Sequence, residues 1–497
     1  MKKCIYTGAT GLTVLISMLM GCSNTVKNLV VASTEPETSI FNPEGTLEFF
    51  KEINPGSSAA DPASFAMLGS NKFLFYANDG TNGVELWASD GTAAGTALVK
   101  DIFTGPSSSY PAGYTILQGV SPATAVFNAT SATSDSSLWK TDGTTSGTVQ
   151  IKNIRTGATD GLMNFFSTAN GKVLFQANDG STGAEPWVTD GTLAGTTQLA
   201  DINSGALDST PFGHRSIGNN EYMFLGNTGS PAIRQVFKTD GVTVSDVRSD
   251  FTKSCTILGV PAFGSLGSGK KVFAQCDDAN GNELWITDGT YVGTQLLKDI
   301  NPGTSGSTPQ GFQALPDGRV IFFAITPSTG SELWVTDGTE SGTTLLKDIL
   351  PGTGSGGGNG FTDLKDGRFI FHAADATGNY EPWITDGTLA GTRKVKEINP
   401  GTAASSAGGG FALLKPGVVV FWANDGVHGN EPWISDGTEQ GTKLLLDTIA
   451  GASTAVWNTG SPPFVFSSTK IFFNGCEGTV ASNPPHCKEL YSINVKY

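Results

Sequence analysis

Short apolar runs alternate with glycine-containing turns along almost the whole chain after residue 44. In residues 281–303, GNELWITDGTYVGTQLLKDINPG, two such runs flank the segment TDGTYVGT. Short runs that are rich in aromatic and β-branched residues and bounded by glycine are typical of β-strands. The 3.6-residue apolar period that would predict a helix is not sustained in this region. The pattern therefore predicts an all-β protein of short strands and tight turns.

The segment at 281–303 recurs through the chain. Close copies are GSELWVTDGTESGTTLLKDILPG (330–352), NYEPWITDGTLAGTRKVKEINPG (379–401) and GNEPWISDGTEQGTKLLLDTIAG (429–451). The central aromatic residues of all copies are Trp87, Trp139, Trp187, Phe237, Trp285, Trp334, Trp383, Trp433 and Tyr491. Most steps between these positions are about 49 residues, and a fixed period of this length indicates a repeat architecture.

These copies resemble the ELWxxDGT repeat family of bacterial exported proteins over roughly residues 45–497. The resemblance implies an exported repeat protein and supplies no catalytic residue. Each copy also divides into four strand-like runs, as in FTDLKDG, RFIFHAAD, YEPWITDG and RKVKEI of the seventh copy. NDGxxG joins the second run to the third, and DGTxxGT joins the third to the fourth. Four antiparallel strands in every repeat predict the blades of a β-propeller.

The two ends of the chain complement each other. Residues 45–56, GTLEFFKEINPG, match only the fourth strand of a repeat, whereas the C-terminal FVFSSTKIFFNG and KELYSIN supply the first three. We therefore expect the N-terminal segment to join the C-terminal strands as one composite blade, which removes the open edges of the ring. Eight internal blades and this one predict nine. Eight in total is the alternative, because the fourth repeat (206–254) is degenerate and propellers typically have four to eight blades.

The N-terminus has the features of an export signal. Lys2 and Lys3 precede an apolar stretch, Gly11–Met20, that is too short to span a bilayer comfortably. Leu19-Met20-Gly21-Cys22 resembles a bacterial lipobox, which makes Cys22 the predicted lipidation site. An ordinary secretory signal is the alternative. The predicted organisation is a lipoprotein signal peptide at 1–21, a polar tether at 22–43 and a single propeller domain at 44–497. By resemblance to lipoprotein sorting, Ser23 favours the outer membrane.

Four cysteines remain in the predicted mature chain. Each of the candidate disulfides, Cys255–Cys276 and Cys476–Cys487, would lie within one repeat. An even number of cysteines in an exported protein favours disulfides. Metal binding is the weaker interpretation because the CxxC spacing of zinc sites is missing.

The recurring residues have structural and functional interpretations. Large aromatic residues at one position in every blade favour a packing role, so the repeat tryptophans are expected to form the core. These are Trp87, Trp139, Trp187, Trp285, Trp334, Trp383 and Trp433. The glutamate of ELW is expected to form an adjacent-strand ion pair or a backbone cap, with metal binding as the alternative. Weak calcium candidates are Asp79 and Asp179 in the NDGxxG turns, with Glu85 and Glu185. Calcium is thus a possible cofactor, and no other is expected.

Charge and motifs narrow the function classes. The net charge of −15 disfavours nucleic acid and leaves cations, neutral glycans and proteins as partners, besides the membrane itself through the lipid anchor. GxSxG, HExxH and P-loop motifs are missing. The leading hypothesis is a non-enzymatic binding or scaffold lipoprotein of the cell envelope, without predicted catalytic residues. The connections between blades, such as 301–311 and 350–360, are expected to share a face with the NDGxxG turns and to carry the partner site.

Two alternatives remain open. A carbohydrate-active enzyme would need acids that converge on the central channel, and the candidates are the isolated Asp160, Asp208 and Asp363. A calcium-stabilised adhesin is the other alternative. The sequence does not indicate the oligomeric state.

Overall fold

The computed structural model describes residues 41–497 except 56–57, 132–135, 156–161, 169, 254–261, 375–377, 401–404, 449–462 and 476–487. Residues 42–497 form one compact unit. The described part of this unit contains 36 β-strands, arranged as nine four-stranded sheets, and no helix. Accordingly, no described helix is long and apolar enough to cross a membrane.

The sheets are the blades of a β-propeller, numbered here along the chain. Strand β1 is Glu44–Lys51. Blade 1 has β2 (Ala63–Met67), β3 (Phe73–Asn78), β4 (Val84–Ser89) and β5 (Ala97–Lys100). Blade 2 has β6 (Ala112–Ile116), β7 (Ala125–Thr130), β8 (Ser136–Thr141) and β9 (Val149–Lys152). Blade 3 has β10 (Met163–Ser167), β11 (Val173–Asn178), β12 (Ala184–Thr189) and β13 (Thr197–Gln198).

The next three blades repeat the same order. Blade 4 has β14 (Phe212–Gly218), β15 (Glu221–Thr228), β16 (Ile233–Thr239) and β17 (Val244–Arg248). Blade 5 has β18 (Phe263–Ser265), β19 (Lys271–Asp277), β20 (Gly281–Thr287) and β21 (Gln295–Lys298). Blade 6 has β22 (Gln310–Ala314), β23 (Val320–Thr326), β24 (Gly330–Thr336) and β25 (Thr344–Lys347).

The last blades complete the ring. Blade 7 has β26 (Asn359–Asp363), β27 (Phe369–Ala374), β28 (Tyr380–Thr385) and β29 (Arg393–Lys394). Blade 8 has β30 (Ser406–Lys415), β31 (Val418–Asn424), β32 (Asn430–Ser435) and β33 (Lys443–Leu444). Blade 9 has β34 (Phe464–Ser467), β35 (Lys470–Gly475), β36 (Glu489–Lys496) and, beyond them, β1.

The nine-bladed ring closed by β1 is confirmed. Strand β1 pairs antiparallel with β36 from Glu44↔Lys496 to Phe49↔Tyr491, so the two chain ends share one sheet. The degenerate fourth repeat forms a complete four-stranded blade, and the eight-bladed alternative is therefore wrong. Its central aromatic residue, Phe237, pairs with Phe224 just as Trp87 pairs with Phe75 in blade 1. The strand pairing is therefore kept without the tryptophan.

The hydrophobic core lies in the seams between neighbouring blades. In the seam between blades 1 and 2, Leu74 and Leu86 of one blade pack with Phe127 and Trp139 of the next. A corresponding cluster joins blades 9 and 1. The seven repeat tryptophans are 5–8% exposed and fill these seams. Because a side chain on either face of a blade meets a neighbour, the central strands are apolar on both faces, as in VELWAS of β4, which is buried throughout.

A β-bulge shapes the innermost strands. In β2 the register shifts between Ala63 and Ala66, and Ser64 between them has a φ of 57°. The same site in β6 and β22 holds Gly113 and Gly311, at φ 71° and 67°. A positive φ of this kind favours glycine, which is why glycine recurs there. The bulge shifts the register of each of these inner strands against the second strand of its blade.

Candidate functional site

The inter-blade connections and the NDGxxG turns share one face of the ring, as expected. Val84, which follows the first NDGxxG turn, donates its N–H to Ser108 Oγ at 2.9 Å, and its carbonyl accepts the N–H of Ser109 at 3.0 Å. Because Ser108 and Ser109 belong to the connection between blades 1 and 2, turn and connection form one layer. We call this side the connection face and the side with the DGTxxGT turns the turn face.

The repeated glutamates hold the connections in place. Glu85 is completely buried and accepts N–H groups from Ile102 (2.8 Å), Phe103 (3.3 Å) and Ser109 (3.0 Å), together with the Ser109 hydroxyl (2.6 Å). Glu185 makes equivalent bonds. Burial raises the pKa of Glu185 to about 7, although these hydrogen bonds oppose the shift. Of the interpretations considered from sequence, this geometry corresponds to the backbone cap.

The lysine of the fourth strand does not complete an ion pair with that glutamate. It reaches the turn face of the next blade, where its Nζ donates to carbonyl oxygens of the DGTxxGT turn. The bonds are Lys51–Ala93 (3.2 Å), Lys152–Thr196 (3.0 Å), Lys298–Thr343 (2.9 Å) and Lys396–Thr442 (2.8 Å). Each lysine therefore links two blades. This role was not predicted from the sequence, because the partner lies in the following repeat, more than 40 residues away.

The weak calcium candidates are engaged in hydrogen bonds. Asp79 Oδ1 accepts the N–H groups of Thr81 (2.9 Å) and Asn82 (2.7 Å), whereas Glu85 binds the next connection instead of this turn. Although burial raises the pKa of Asp179, its hydrogen bonds to Ser181 and Thr182 outweigh that effect and lower it to about 2. Within the described ranges, no group of three His, Cys, Asp or Glu residues could hold a metal ion. Calcium binding stays a prediction.

Several predicted residues lie outside the described residues. These are Cys22 with the signal peptide, Asp160, Cys255, Cys476 and Cys487. Cys276 is described and is buried in β19. The pairings Cys255–Cys276 and Cys476–Cys487 stay predictions.

The acids considered for a central-channel enzyme have separate partners. Asp208 accepts the N–H of Ala184 at 2.7 Å, within blade 3 and its following connection. Asp363, in the inner strand of blade 7, binds the N–H and Nζ of Lys365. Asp208 and Asp363 are not hydrogen-bond partners of each other.

A cavity of about 460 Å³ lies on the inner strands of blades 1 to 3. Two of its residues, Ala112 and Leu162, stand where a connection leads into an inner strand, which places the cavity beside the connection face. The complete lining is Ser64, Phe65, Ala66, Ala112, Gly113, Tyr114, Thr115, Asn128, Leu162 and Phe165. No Asp, Glu, His, Lys or Arg is part of this lining.

Each aromatic residue of the cavity is held by packing within its own blade. Phe65 stacks on Phe75 with ring centroids 5.5 Å apart, and Phe165 stacks on Phe175 at 5.4 Å. Gly113 leaves open the space between: a Cβ there would lie 3.0 Å from the Phe165 ring and 3.6 Å from Asn128 Oδ1. The cavity thus combines fixed apolar rings with an amide and hydroxyl groups. These residues were not predicted from the sequence, because they come from three blades and are about one repeat apart in the chain.

Comparisons with known proteins concern the fold. No protein-family model matches the chain, and no curated protein is significantly similar to it. Among solved structures, a puromycin hydrolase is similar at 13% identity and a TM-score of 0.41, over 86% of this chain and 61% of that one. A Mycobacterium tuberculosis puromycin-hydrolyzing peptidase is similar at 11% identity and a TM-score of 0.39, over 74% and 59%. The chain thus spans about three fifths of the length of these proteins.

Proposed function

We propose that this protein is a non-enzymatic binding propeller of the cell envelope, and that it holds an uncharged ligand in the cavity of blades 1 to 3. The observation that carries the proposal is the cavity lining. It presents the rings of Phe65, Tyr114 and Phe165 beside the Asn128 amide and the Thr115 hydroxyl, with no charged group among its residues. Binding sites for small molecules typically combine apolar walls with a few polar groups that orient the ligand.

A neutral glycan is the ligand class that fits this lining best. A sugar ring offers apolar faces to aromatic rings and hydroxyl groups to amide and hydroxyl partners. A volume of about 460 Å³ lies in the usual range of roughly 300–1,000 Å³ for small-molecule sites. The net charge of −15 works against anionic ligands that approach over long range.

The cellular location of the protein is part of the proposal. The lipobox-like segment ending at Cys22 supports a lipid anchor, and the polar residues 22–43 support a flexible tether. Ser23 supports delivery to the outer membrane. Together they would hold the propeller at the envelope, where glycans are abundant.

Titration calorimetry of the whole mature protein against neutral oligosaccharides tests the proposal. We expect Phe165→Ala and Asn128→Ala to weaken binding about tenfold, because each removes one lining contact worth roughly 1–2 kcal/mol. The matched control is Phe361→Ala, at the inner-strand position of blade 7, where the ring stacks on Phe323 outside the cavity. Failure of every neutral glycan to bind, or equal losses in all three variants, would refute the proposal.

A further inference from the structure

The degenerate blade 4 carries an unusual residue on the surface that it turns toward blade 5. Arg234 in β16 occupies the position held by Val84, Ala184 and Ser331 in blades 1, 3 and 6. Its guanidinium carbon lies 4.3 Å from the centre of the Phe212 ring, and Phe212 packs in the seam between blades 4 and 5. The side chain is therefore held in that seam.

The guanidinium of Arg234 lacks acceptors. Its Nε and Nη1 are buried and have no hydrogen-bond partner, whereas Nη2 is not among the buried atoms. The cation–π contact with Phe212 gives the N–H groups no oxygen or nitrogen acceptor. Across the seam, Gln275 Nε2 donates to the Arg234 carbonyl at 2.9 Å, and Gln275 Oε1 is a second buried atom without a partner.

No described carboxylate forms an ion pair with Arg234. Other arginines have one close by, as in Arg248–Asp250 (2.7 Å) and Arg319–Asp317 (2.7 Å). Burial lowers the pKa of Arg234 to about 10, still well above neutral pH, so the side chain is charged. A buried charge without a counter-charge is strongly unfavourable, and a bound anion would relieve it.

Two further cations occupy the same seam. Lys271 is only 6% exposed and takes a core position that holds Phe73 and Val173 in blades 1 and 3. Arg215 on the inner strand donates to the Phe263 carbonyl at 3.4 Å, and neither cation forms an ion pair with a described acid. These two cations lie nearer the turn-face end of the seam, since Lys271 pairs with Thr287 and Arg215 with Met223, whereas Arg234 pairs with Asn227 beside the connection face.

We propose that Arg234 anchors an oxyanion-binding site in the seam between blades 4 and 5. Phe212 covers one face of the guanidinium, and Nη2 leaves an approach open. An oxyanion meets Nη2 first, and a movement of the side chain that opens Nε, on the same edge of the guanidinium, completes the fork that arginine offers to carboxylates and phosphates. The site is separate from the cavity of blades 1 to 3 and does not depend on the function proposed for it.

Calorimetric titration of the whole mature protein with inorganic phosphate and, separately, with acetate tests this site. Ionic strength is kept constant with chloride. We expect at least one of the two anions to bind. Binding of phosphate alone assigns a phosphoryl ligand, binding of acetate alone assigns a carboxylate, and binding of both assigns a general oxyanion site. If neither anion binds, the proposal is wrong.

Variants assign the binding to Arg234. Arg234→Met should lower the anion affinity at least tenfold, and Arg234→Lys, which keeps the charge but not the fork, should lower it less. The matched control, Arg319→Met, removes an ion-paired arginine from blade 6 and should leave the affinity within about twofold. Thermal unfolding adds an independent readout: anions should raise the unfolding temperature of the parent protein but not of Arg234→Met. Equal anion affinity in Arg234→Met and the parent protein would overturn the proposal.

Discussion

The buried glutamate found in seven of the nine repeats is the residue on which their connections depend. Glu283 accepts the N–H groups of Ile300 and Asn301, both at 3.0 Å, and Glu381 accepts those of Ile398 and Asn399 at 3.0 and 3.2 Å. One carboxylate satisfies several backbone donors that the turn would otherwise bury without partners. Blade 4 shows how much of this an amide can replace: Gln235 accepts the N–H of Phe251 at 3.3 Å and donates to its carbonyl at 3.0 Å.

Substitution of Glu85 tests this role at the residue scale. Glu85→Ala should lower the free energy of unfolding by about 3 kcal/mol, because buried N–H donors lose their acceptor. Glu85→Gln should cost only about 1 kcal/mol, since Gln235 shows that an amide fits an equivalent site. Urea-induced unfolding followed by tryptophan fluorescence measures both. Equal losses for Gln and Ala would show that the negative charge, not hydrogen-bond acceptance, matters at this site.

The DGTxxGT turn between the third and fourth strands is a self-contained element. In blade 5, Asp288 Oδ1 accepts the Thr290 N–H (2.9 Å) and hydroxyl (2.6 Å), and Thr290 Oγ1 accepts the Gly293 N–H (3.0 Å). The hydroxyls of Thr287 and Thr294 bond each other at 2.7 Å. Every recurring residue of the motif therefore has a partner inside the turn, which explains why the turn has the same geometry in seven blades.

The close approach of Asp288 to Gly293 gives a prediction at the element scale. A Cβ on Gly293 would lie 2.0 Å from Asp288 Oδ1, so Gly293→Ala should displace the carboxylate and lose its bonds. Asp288→Ala loses the same bonds. The double variant should therefore be less destabilised than the sum of the two single variants, with a coupling of about 1 kcal/mol. Thermal unfolding of the four proteins in the cycle measures this coupling, and strict additivity would contradict the geometry.

Closure of the ring combines the blades into one molecule. Each of the nine blades has a neighbour on both sides. Strand β1 is the outer strand of blade 9, whose other three strands come from the C-terminal end of the chain. Phe50 next to Phe472 at 4.8 Å, and Phe73 next to Phe472 at the same distance, carry the core from β1 through blade 9 into blade 1. Contacts of high sequence separation therefore join the ends of the unit, and the seams are continuous around the ring.

The buried glutamates dominate the expected pH dependence of the whole molecule. Burial raises their pKa, to about 7 for Glu185 and Glu489, whereas the unfolded value is 4.5. The folded state then binds these protons more tightly, so stability should rise as pH falls from about 7 to 4.5. The glutamates with raised pKa are Glu85, Glu185, Glu283, Glu332, Glu381 and Glu489.

Buried histidines and the turn aspartates limit this stabilisation at low pH. Burial lowers the pKa of His214 and His372 to about 4 from 6.5, which lowers stability over that range, but two histidines oppose six glutamates. The turn aspartates have lowered pKa values, about 2 for Asp179 against 3.8, and their contribution is lost below pH 3.8. We expect maximal stability between about pH 4 and 5. Unfolding followed from pH 3 to 8 in about 0.5 M salt, which screens surface repulsion, checks this. A free energy of unfolding that increases from pH 5 to 7 would contradict it.

Much of the fold could be predicted because it depends on local pattern. The four strands per repeat, the turns at NDGxxG and DGTxxGT, and the N-terminal strand of the composite blade all follow from runs and turns that are contiguous in sequence. Even the degenerate fourth repeat kept enough of that pattern to be counted. The cap formed by Glu85 was among the predicted roles, since its partners lie only 17 to 24 residues further on.

The sequence by itself determined the four strands of each blade and the closure of the ring, because these follow from the repeated pattern and from the complementary strands at the two chain ends. It predicted nine blades but left eight open, and the complete fourth blade decided between them. Only the tertiary structure decided which side chains meet across a seam, since those pairs are about one repeat apart in the chain. The lysine of one blade thus reaches the turn of the next, and Gly113 leaves open a space beside Phe165 of the following blade. Within blade 4, the structure likewise places Arg234 on Phe212 without an acceptor. The features that carry the proposed functions belong to this second group.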